Sequence, residues 1–314
     1  MMNTGNGCRK IEGADLLATG QDCIYPFQGR IRSLLQLCKL PICLMVAFSA
    51  FFGSVLAGPA GPSSTLMITL GMMLLAGGGA ALNSWQEVRL DSSMSRTRNR
   101  PLPRGLVPAG QAAILAILLI TAGLIMLYLG SRKPLAAGLG FAAVILYNVF
   151  YTPLKTRTVA ALIPGAVSGA LPPYIGWTAA GGDPLSSFAL LMVVCFILWQ
   201  IPHSLLLTLT YRDDYLESDI PSPIKLFSEA SLKRLLLVWV GAFLAVLLCW
   251  TELLMGLAGW ARFLIPMSIC IVFILFCVQL PGRRKSGYHS IFIQFNCYLF
   301  FVMAILAGDR LFFC

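Results

Sequence analysis

NSWQEVRLDSSMSRTRNRPLPRG, Asn83 to Gly105, is the stretch on which the reading of this chain turns. It lies between two apolar segments. Asn83, Glu87 and Asp91 recur every four residues, so on a helix they share one face. Arg89, Arg96, Arg98, Arg100 and Arg104 interleave with them or follow. Oxygen donors on one face with guanidinium groups close behind suit a Mg²⁺–diphosphate site. Mg²⁺ takes hard oxygens and shares them with substrate phosphates, and arginine pairs bidentately with phosphate. The bland alternative is a solvated helix end. Ionisable groups next to membrane-depth sequence usually face a cavity, which favours the first reading.

The surroundings are strongly apolar. The chain is 58% hydrophobic and 11% charged, against roughly 25% charged residues in an ordinary soluble domain. This composition predicts an all-α polytopic membrane protein. Nine candidate transmembrane spans follow: about 34–57, 65–87, 109–130, 134–151, 159–178, 187–211, 232–250, 259–280 and 290–307. The fourth is the shortest. Residues 1–33 form an N-terminal segment, 34–307 the transmembrane domain and 308–314 a short tail.

Nineteen of the 23 lysines and arginines fall on one side of these spans. The positive-inside bias puts that side in the cytoplasm, with the N-terminus inside and the C-terminus outside. The net charge of +10 mostly restates this bias; it is no argument for nucleic acid, and part of it can attract anionic lipid or a diphosphate. The first 30 residues lack an apolar signal-peptide core and carry Glu12, Asp15 and Asp22, which disfavours a transit peptide. A bacterial cytoplasmic (inner) membrane is the expected location. The ten cysteines include no C-x-x-C pair and read as small buried apolar side chains.

A second acidic cluster, YRDDYLESD from Tyr211 to Asp219, ends the sixth span as Asn83–Asp91 ends the second. Each cluster then sits on the second helix of a four-helix block. The expected architecture is two four-helix halves plus a ninth helix around a central cavity. Asp213 and Asp214 are adjacent carboxylates that repel unless a cation screens them, and Glu217 could join them as metal ligands. Arg212 borders this cluster. Lys155 and Arg157, in YTPLKTRT, offer further charge for a diphosphate, or serve as positive-inside anchors. His203, in WQIPH, lies two to three helical turns before Asp213. Pro202 frees a carbonyl that it could satisfy structurally. His289 reads as structural or interfacial.

These motifs resemble the intramembrane prenyltransferases of the UbiA superfamily. The N-x-x-x-D-x-x-x-D pattern matches at Asn83 and Asp91, with Glu87 in the middle place, and R-T-x-x-R-P-L matches Arg96 to Leu102. LYNVFYTPLKTRT (Leu146–Thr158), GAVSGALPPYIGW (Gly165–Trp177) and the spacing of WQIPH to YRDDY are similar to the haem O synthase branch. Two departures stand out. Ser204 replaces an aromatic after Pro-His, and Leu216 to Pro221 keeps only Ile–Pro of that branch's usual run.

The resemblance implies nine helices and Mg²⁺ held by two acidic motifs. Asn83, Glu87 and Asp91 would hold one ion, and Asp213, Asp214 and Glu217 the other. Arg96, Arg100 and Lys155, with Arg157 and Arg212 nearby, would bind the diphosphate, and His203 would orient haem. It implies farnesyl transfer from farnesyl diphosphate to haem b (protohaem IX). Haem A synthase or an oxidase assembly factor would be downstream partners. Prenyl transfer to another aromatic acceptor, such as a quinone precursor or chlorophyllide, is the alternative enzyme. A haem carrier or transporter is the non-enzyme alternative, separated by Mg²⁺-dependent diphosphate release.

Overall fold

The computed structural model describes residues 27–58, 60–254, 257–280 and 287–313, with side chains from residue 31 onward. Arg9, Lys10, Arg283, Arg284 and Lys285, counted in the charge bias, lie outside them. The described residues are helical, with no strand among them. The helices are α1 (Phe27–Leu37), α2 (Leu40–Leu56), α3 (Pro62–Gln86), α4 (Val88–Ser93), α5 (Ala109–Ser131), α6 (Pro134–Ile145) and α7 (Thr152–Leu154). There follow α8 (Leu162–Ala180), α9 (Ser187–Thr210), α10 (Arg212–Glu217), α11 (Pro223–Leu226), α12 (Glu229–Glu252), α13 (Gly259–Gln279) and α14 (Tyr288–Phe312).

Among the described residues, eight helices are each long and apolar enough to cross a membrane, and the bent pair α1–α2 makes a ninth. This agrees with the nine expected spans and makes the chain a multi-pass membrane protein. Two spans differ in detail. The first is broken: Ile31–Leu37 and Leu40–Leu56 meet at 56°. The break falls where Lys39 adopts φ 54°, ψ 52°, a left-handed conformation that is unusual for a residue with a side chain. The expected boundary at residue 33 therefore falls inside α1. The fourth span is not short. It runs Pro134–Leu154, 21 residues, because a π-helical turn at Leu146–Tyr151 carries α6 into α7.

Three apolar cores hold the bundle. One joins α2, α3, α5, α6 and α8; a second joins α2 and α8 to α9, α12, α13 and α14; a third lies among α1, α3, α5 and the loop through Leu102 and Val107. The central pair is therefore α2 and α8, the first helices of the two four-helix blocks. Their backbones touch. A Cβ at Gly53 would overlap the Pro173 carbonyl, and one at Gly176 would overlap the Ala50 carbonyl. Ser54 Oγ donates to the Gly176 carbonyl at 3.2 Å across the same contact. In lipid, where apolar association drives little, such close approach of small residues is what holds helices together.

The cysteines differ from expectation. Cys43 and Cys195 are buried, but Cys249, Cys270, Cys277 and Cys297 are exposed on the helix surfaces. A thiol costs little against hydrocarbon, so lipid-facing positions accept it.

Candidate active site

The acidic face forms at the C-terminal end of α3. Glu87 N donates to Asn83 O at 3.0 Å and Asp91 N to Glu87 O at 2.7 Å. The four-residue spacing thus keeps its helical bonds although Glu87 (φ −102°, ψ 12°) marks a break between α3 and α4. All three side chains are buried: Asn83 is 2%, Glu87 6% and Asp91 3% exposed. Buried carboxylates demand partners, and each finds a cation from elsewhere in the chain. Arg100 Nη1 donates to both oxygens of Asp91 at 2.8 Å. Lys155 Nζ lies 2.5 Å from Glu87 Oε1. That contact is an ion pair without hydrogen-bond alignment, since the same oxygen lacks a hydrogen-bond donor.

Lys155 reaches Glu87 because of the π-turn. Asn148, inside the turn, donates to the Gly79 carbonyl at 3.0 Å, and its own carbonyl accepts from Gln86 Nε2 at 3.0 Å. Thr152 Oγ1 donates to the Tyr147 carbonyl at 2.8 Å and accepts from Asn83 Nδ2 at 3.1 Å. These bonds clamp the end of the fourth span onto α3. Single π-turns recur at functional sites, where an extra residue re-aims the side chains beyond it.

Lys39 completes the set. Its Nζ donates to Asn83 Oδ1 at 2.7 Å. Sequence reading counted Lys39 only as positive-side charge. Its one signal was position, a lone cation at the head of an apolar run.

The second cluster approaches the first through loop contacts. Ser95 Oγ donates to Asp214 Oδ1. The Arg96 guanidinium lies 4.6 Å from the centroid of the Tyr211 ring. Tyr215, one step further along α10, lies among Arg96, Glu87 and Asp214. Burial chiefly pushes its phenol above the ordinary value, keeping it neutral, and Arg96 partly opposes the shift. Nothing in the spacing marked Tyr215.

Other expected residues are placed differently. Asp213 and Glu217 are exposed on α10, and Arg157 is exposed beyond α7. Arg212 turns away to the scaffold, where Nη1 donates to Glu229 Oε2 at 2.9 Å. Glu229 also accepts from Tyr288 Oη at 2.7 Å and lies 3.2 Å from Lys233 Nζ. His203 is in the middle of the bundle. Its Nδ1 lies 2.9 Å from Asn296 Oδ1, with the rings of Trp199 and Phe292 at 4.7 and 5.0 Å. Asn296 Nδ2 donates to the Phe292 carbonyl at 2.5 Å. The amide oxygen therefore faces His203, Nδ1 carries the proton, and the lone pair is left on Nε2.

Among the described residues, no three His, Cys, Asp or Glu side chains lie close enough to hold a metal by themselves. The donors present still fit Mg²⁺. They are hard oxygens, few, buried and beside cations, and Glu87 Oε1 has no aligned hydrogen bond to lose. Mg²⁺ commonly relies on one or two carboxylates and takes its remaining ligands from water and phosphate. Carboxylates alternating with Lys39, Arg100 and Lys155 form a surface whose internal ion pairs are of the chemistry that a metal–diphosphate complex would replace.

The profile of the UbiA prenyltransferase family matches residues 46–305. The chain belongs to the UbiA prenyltransferase family. Among its relatives is the protoheme IX farnesyltransferase of Nitratidesulfovibrio vulgaris, 36% identical over 282 residues, which span 90% of this chain and 96% of that protein. The protoheme IX farnesyltransferase of Geobacter sulfurreducens is 42% identical over 190 residues, 60% of this chain and 70% of that one. The UbiA fold itself is seen in a homologue from Archaeoglobus fulgidus bound to GPP and Mg²⁺. It has TM-score 0.70 and 13% identity, and the match covers 89% of this chain and 98% of that chain. A digeranylgeranylglyceryl phosphate synthase gives TM-score 0.72 at 12% identity, covering 90% of this chain and 98% of that chain. The chain is thus a membrane-embedded prenyltransferase of the UbiA family, and the acidic face of α3 is its candidate active site.

Proposed function

We propose that the chain transfers a farnesyl group from farnesyl diphosphate to a vinyl group of protohaem IX, giving haem O and diphosphate. One observation carries the donor half: three buried oxygen-bearing side chains of α3 and α4, each met by a cation from a different segment. The name protoheme IX farnesyltransferase, borne by relatives that match 90% of this chain, supports the acceptor half.

Asn83, Glu87 and Asp91 would hold one Mg²⁺, and Asp213 and Asp214, with Glu217 at the end of α10, a second. The metal would neutralise the diphosphate and make it a better leaving group. Arg96, Arg100 and Lys155 bind the diphosphate oxygens, joined by Lys39; Arg157 lies at the rim, and Arg212 braces α10 through Glu229. Once the C1–O bond ionises, the diphosphate keeps the electron pair and the cation groups hold the developing charge. The allylic cation adds to the terminal vinyl carbon of haem. Water then adds to the new cation beside the ring, loses a proton and leaves a hydroxyl. An apolar bundle protects the first cation until its partner arrives. His203 orients haem, with Nε2 carrying the lone pair that iron binds and Asn296 fixing the tautomer. The chain sits in the cytoplasmic membrane of a bacterium, N-terminus inside and C-terminus outside, and passes haem O to a haem A synthase or an oxidase assembly factor.

The test is turnover by purified protein in detergent with haem b, farnesyl diphosphate and Mg²⁺, read by mass spectrometry of extracted haems. The expected product is heavier than haem b by farnesyl plus hydroxyl, and chelation of divalent metal stops its formation. Diphosphate release with a quinone precursor, and no new haem, would overturn the acceptor assignment and keep the donor chemistry.

A further inference from the structure

A groove of about 750 Å³ lies beside the acidic site, between the α1–α2 bend and the loop that carries Arg96 to Pro101. Arg32, Lys39, Arg96 and Arg100 line it, and among the described residues no carboxylate does. Ile31, Leu35, Leu40 and Pro41, from the same α1–α2 segment as Arg32 and Lys39, are among its apolar lining. Its inner end is the site already described, because Lys39 holds Asn83 and Arg100 holds Asp91. Its outer end is different. Arg32 is exposed and makes no ion pair among the described residues. Ile31 and Leu35 are 43% and 45% exposed on α1, and the outward-facing Ile42, Leu44 and Met45 continue that apolar surface along α2.

We propose that this groove is where the prenyl diphosphate docks from the membrane surface before it reaches the α3 carboxylates, with Arg32 as its outermost contact. The inference rests on the prenyl-donor reading above and adds to it a route and a residue. Three features select this occupant. The groove combines cations with apolar side chains in one lining, so it matches a molecule with an anionic head and one hydrocarbon chain. A diphosphate carries more negative charge than the single phosphate of a lipid headgroup, and four cations, of which Arg100 is paired with Asp91, suit the higher charge. The 56° bend also turns α1 off the line of α2. That lets an amphipathic helix lie at the interface with its apolar residues toward lipid and leaves the groove open beside it. The head can then pass from Arg32 to Lys39 and Arg100 while the chain stays against Leu35 and Leu40.

The experiment uses the full chain in nanodiscs of zwitterionic lipid and a fluorescent, non-ionisable thio-analogue of farnesyl diphosphate, with binding followed by stopped flow. Arg32→Glu should slow association about tenfold, as loss of electrostatic steering does, and change dissociation little. Raising the salt should shrink the difference between variant and wild type. Arg32→Lys should restore most of the rate. Leu35→Trp, which fills the groove without changing charge, should slow association at every salt concentration. In turnover, the donor KM should carry the effect and kcat little of it. Wild-type association rates in both Arg32→Glu and Leu35→Trp would overturn the proposal while leaving the donor reading intact. In a parallel set of nanodiscs doped with phosphatidylglycerol, loss of bound phosphatidylglycerol in Arg32→Glu, with analogue association unchanged, would make the groove a lipid-headgroup site and also overturn it. A wild-type protein that binds no analogue would refute the donor reading itself and this proposal with it.

Discussion

Replacing Asp91 with Asn separates chemistry from folding at the candidate site. The Asp91 carboxylate is 3% exposed and takes both bonds of Arg100 Nη1 at 2.8 Å. At an effective dielectric of about 20, opposite charges this close attract by about 6 kcal/mol. The Arg100 side chain is 31% exposed, so water screens it and recovers part of its solvation when the pair is broken. The net destabilisation should be about 1–2 kcal/mol. A protein with about 5 kcal/mol of stability or more would remain over 99% folded after that loss. The chemical loss should be larger. Removing one preorganised charge that steadies a leaving group costs about a thousandfold in rate, equivalent to about 4 kcal/mol. Asp91→Asn should therefore elute as a monodisperse protein with a modestly lowered thermal midpoint, yet release diphosphate about a thousand times more slowly. The paired assay is thermal size-exclusion and initial-rate diphosphate release on the same preparation. Turnover within tenfold of wild type would refute the assignment. So would a loss of turnover that simply tracks the loss of folded protein, because the ion pair would then be structural only.

Two further outcomes rest on single contacts. Lys39→Met removes the donor to Asn83 Oδ1 and one cation from the diphosphate surface; the donor KM should rise about tenfold, the worth of one charged hydrogen bond, and isothermal titration with a prenyl diphosphate analogue should show the same weakening. Gly176→Val sets a branched side chain against the Ala50 carbonyl; the overpacking should cost about 3 kcal/mol, seen as a large drop in thermal midpoint, and a stable variant would mean that α2 and α8 pack less closely than described.

Much of this protein is legible in its sequence because membranes simplify the problem. Hydrocarbon leaves the backbone only helices or closed barrels, and long unbroken apolar runs select helices, so apolar run lengths gave nine spans and the described residues hold eight helices plus a bent pair. The four-residue spacing of Asn83, Glu87 and Asp91 survives even a helix break, because local bonds from Glu87 and Asp91 preserve it. The Arg-rich loop announced itself by charge density in a greasy chain.

Partnership was not legible. Lys39 and Asn83 are 44 residues apart, and only the left-handed turn at Lys39 and the bend of α1 bring them together. Lys155 and Arg212 looked alike as basic residues near acidic clusters. The π-turn at Leu146–Tyr151 carries Lys155 to Glu87, whereas Arg212 turns to Glu229 on the scaffold. Tyr215 and the His203–Asn296 pair likewise depend on neighbours from distant helices. The sequence by itself determined which stretches cross the membrane as helices and where charge concentrates, since each depends on apolar run length and transfer energy. The tertiary structure alone decided which cation meets which carboxylate, since that depends on how helices far apart in the chain cross and bend.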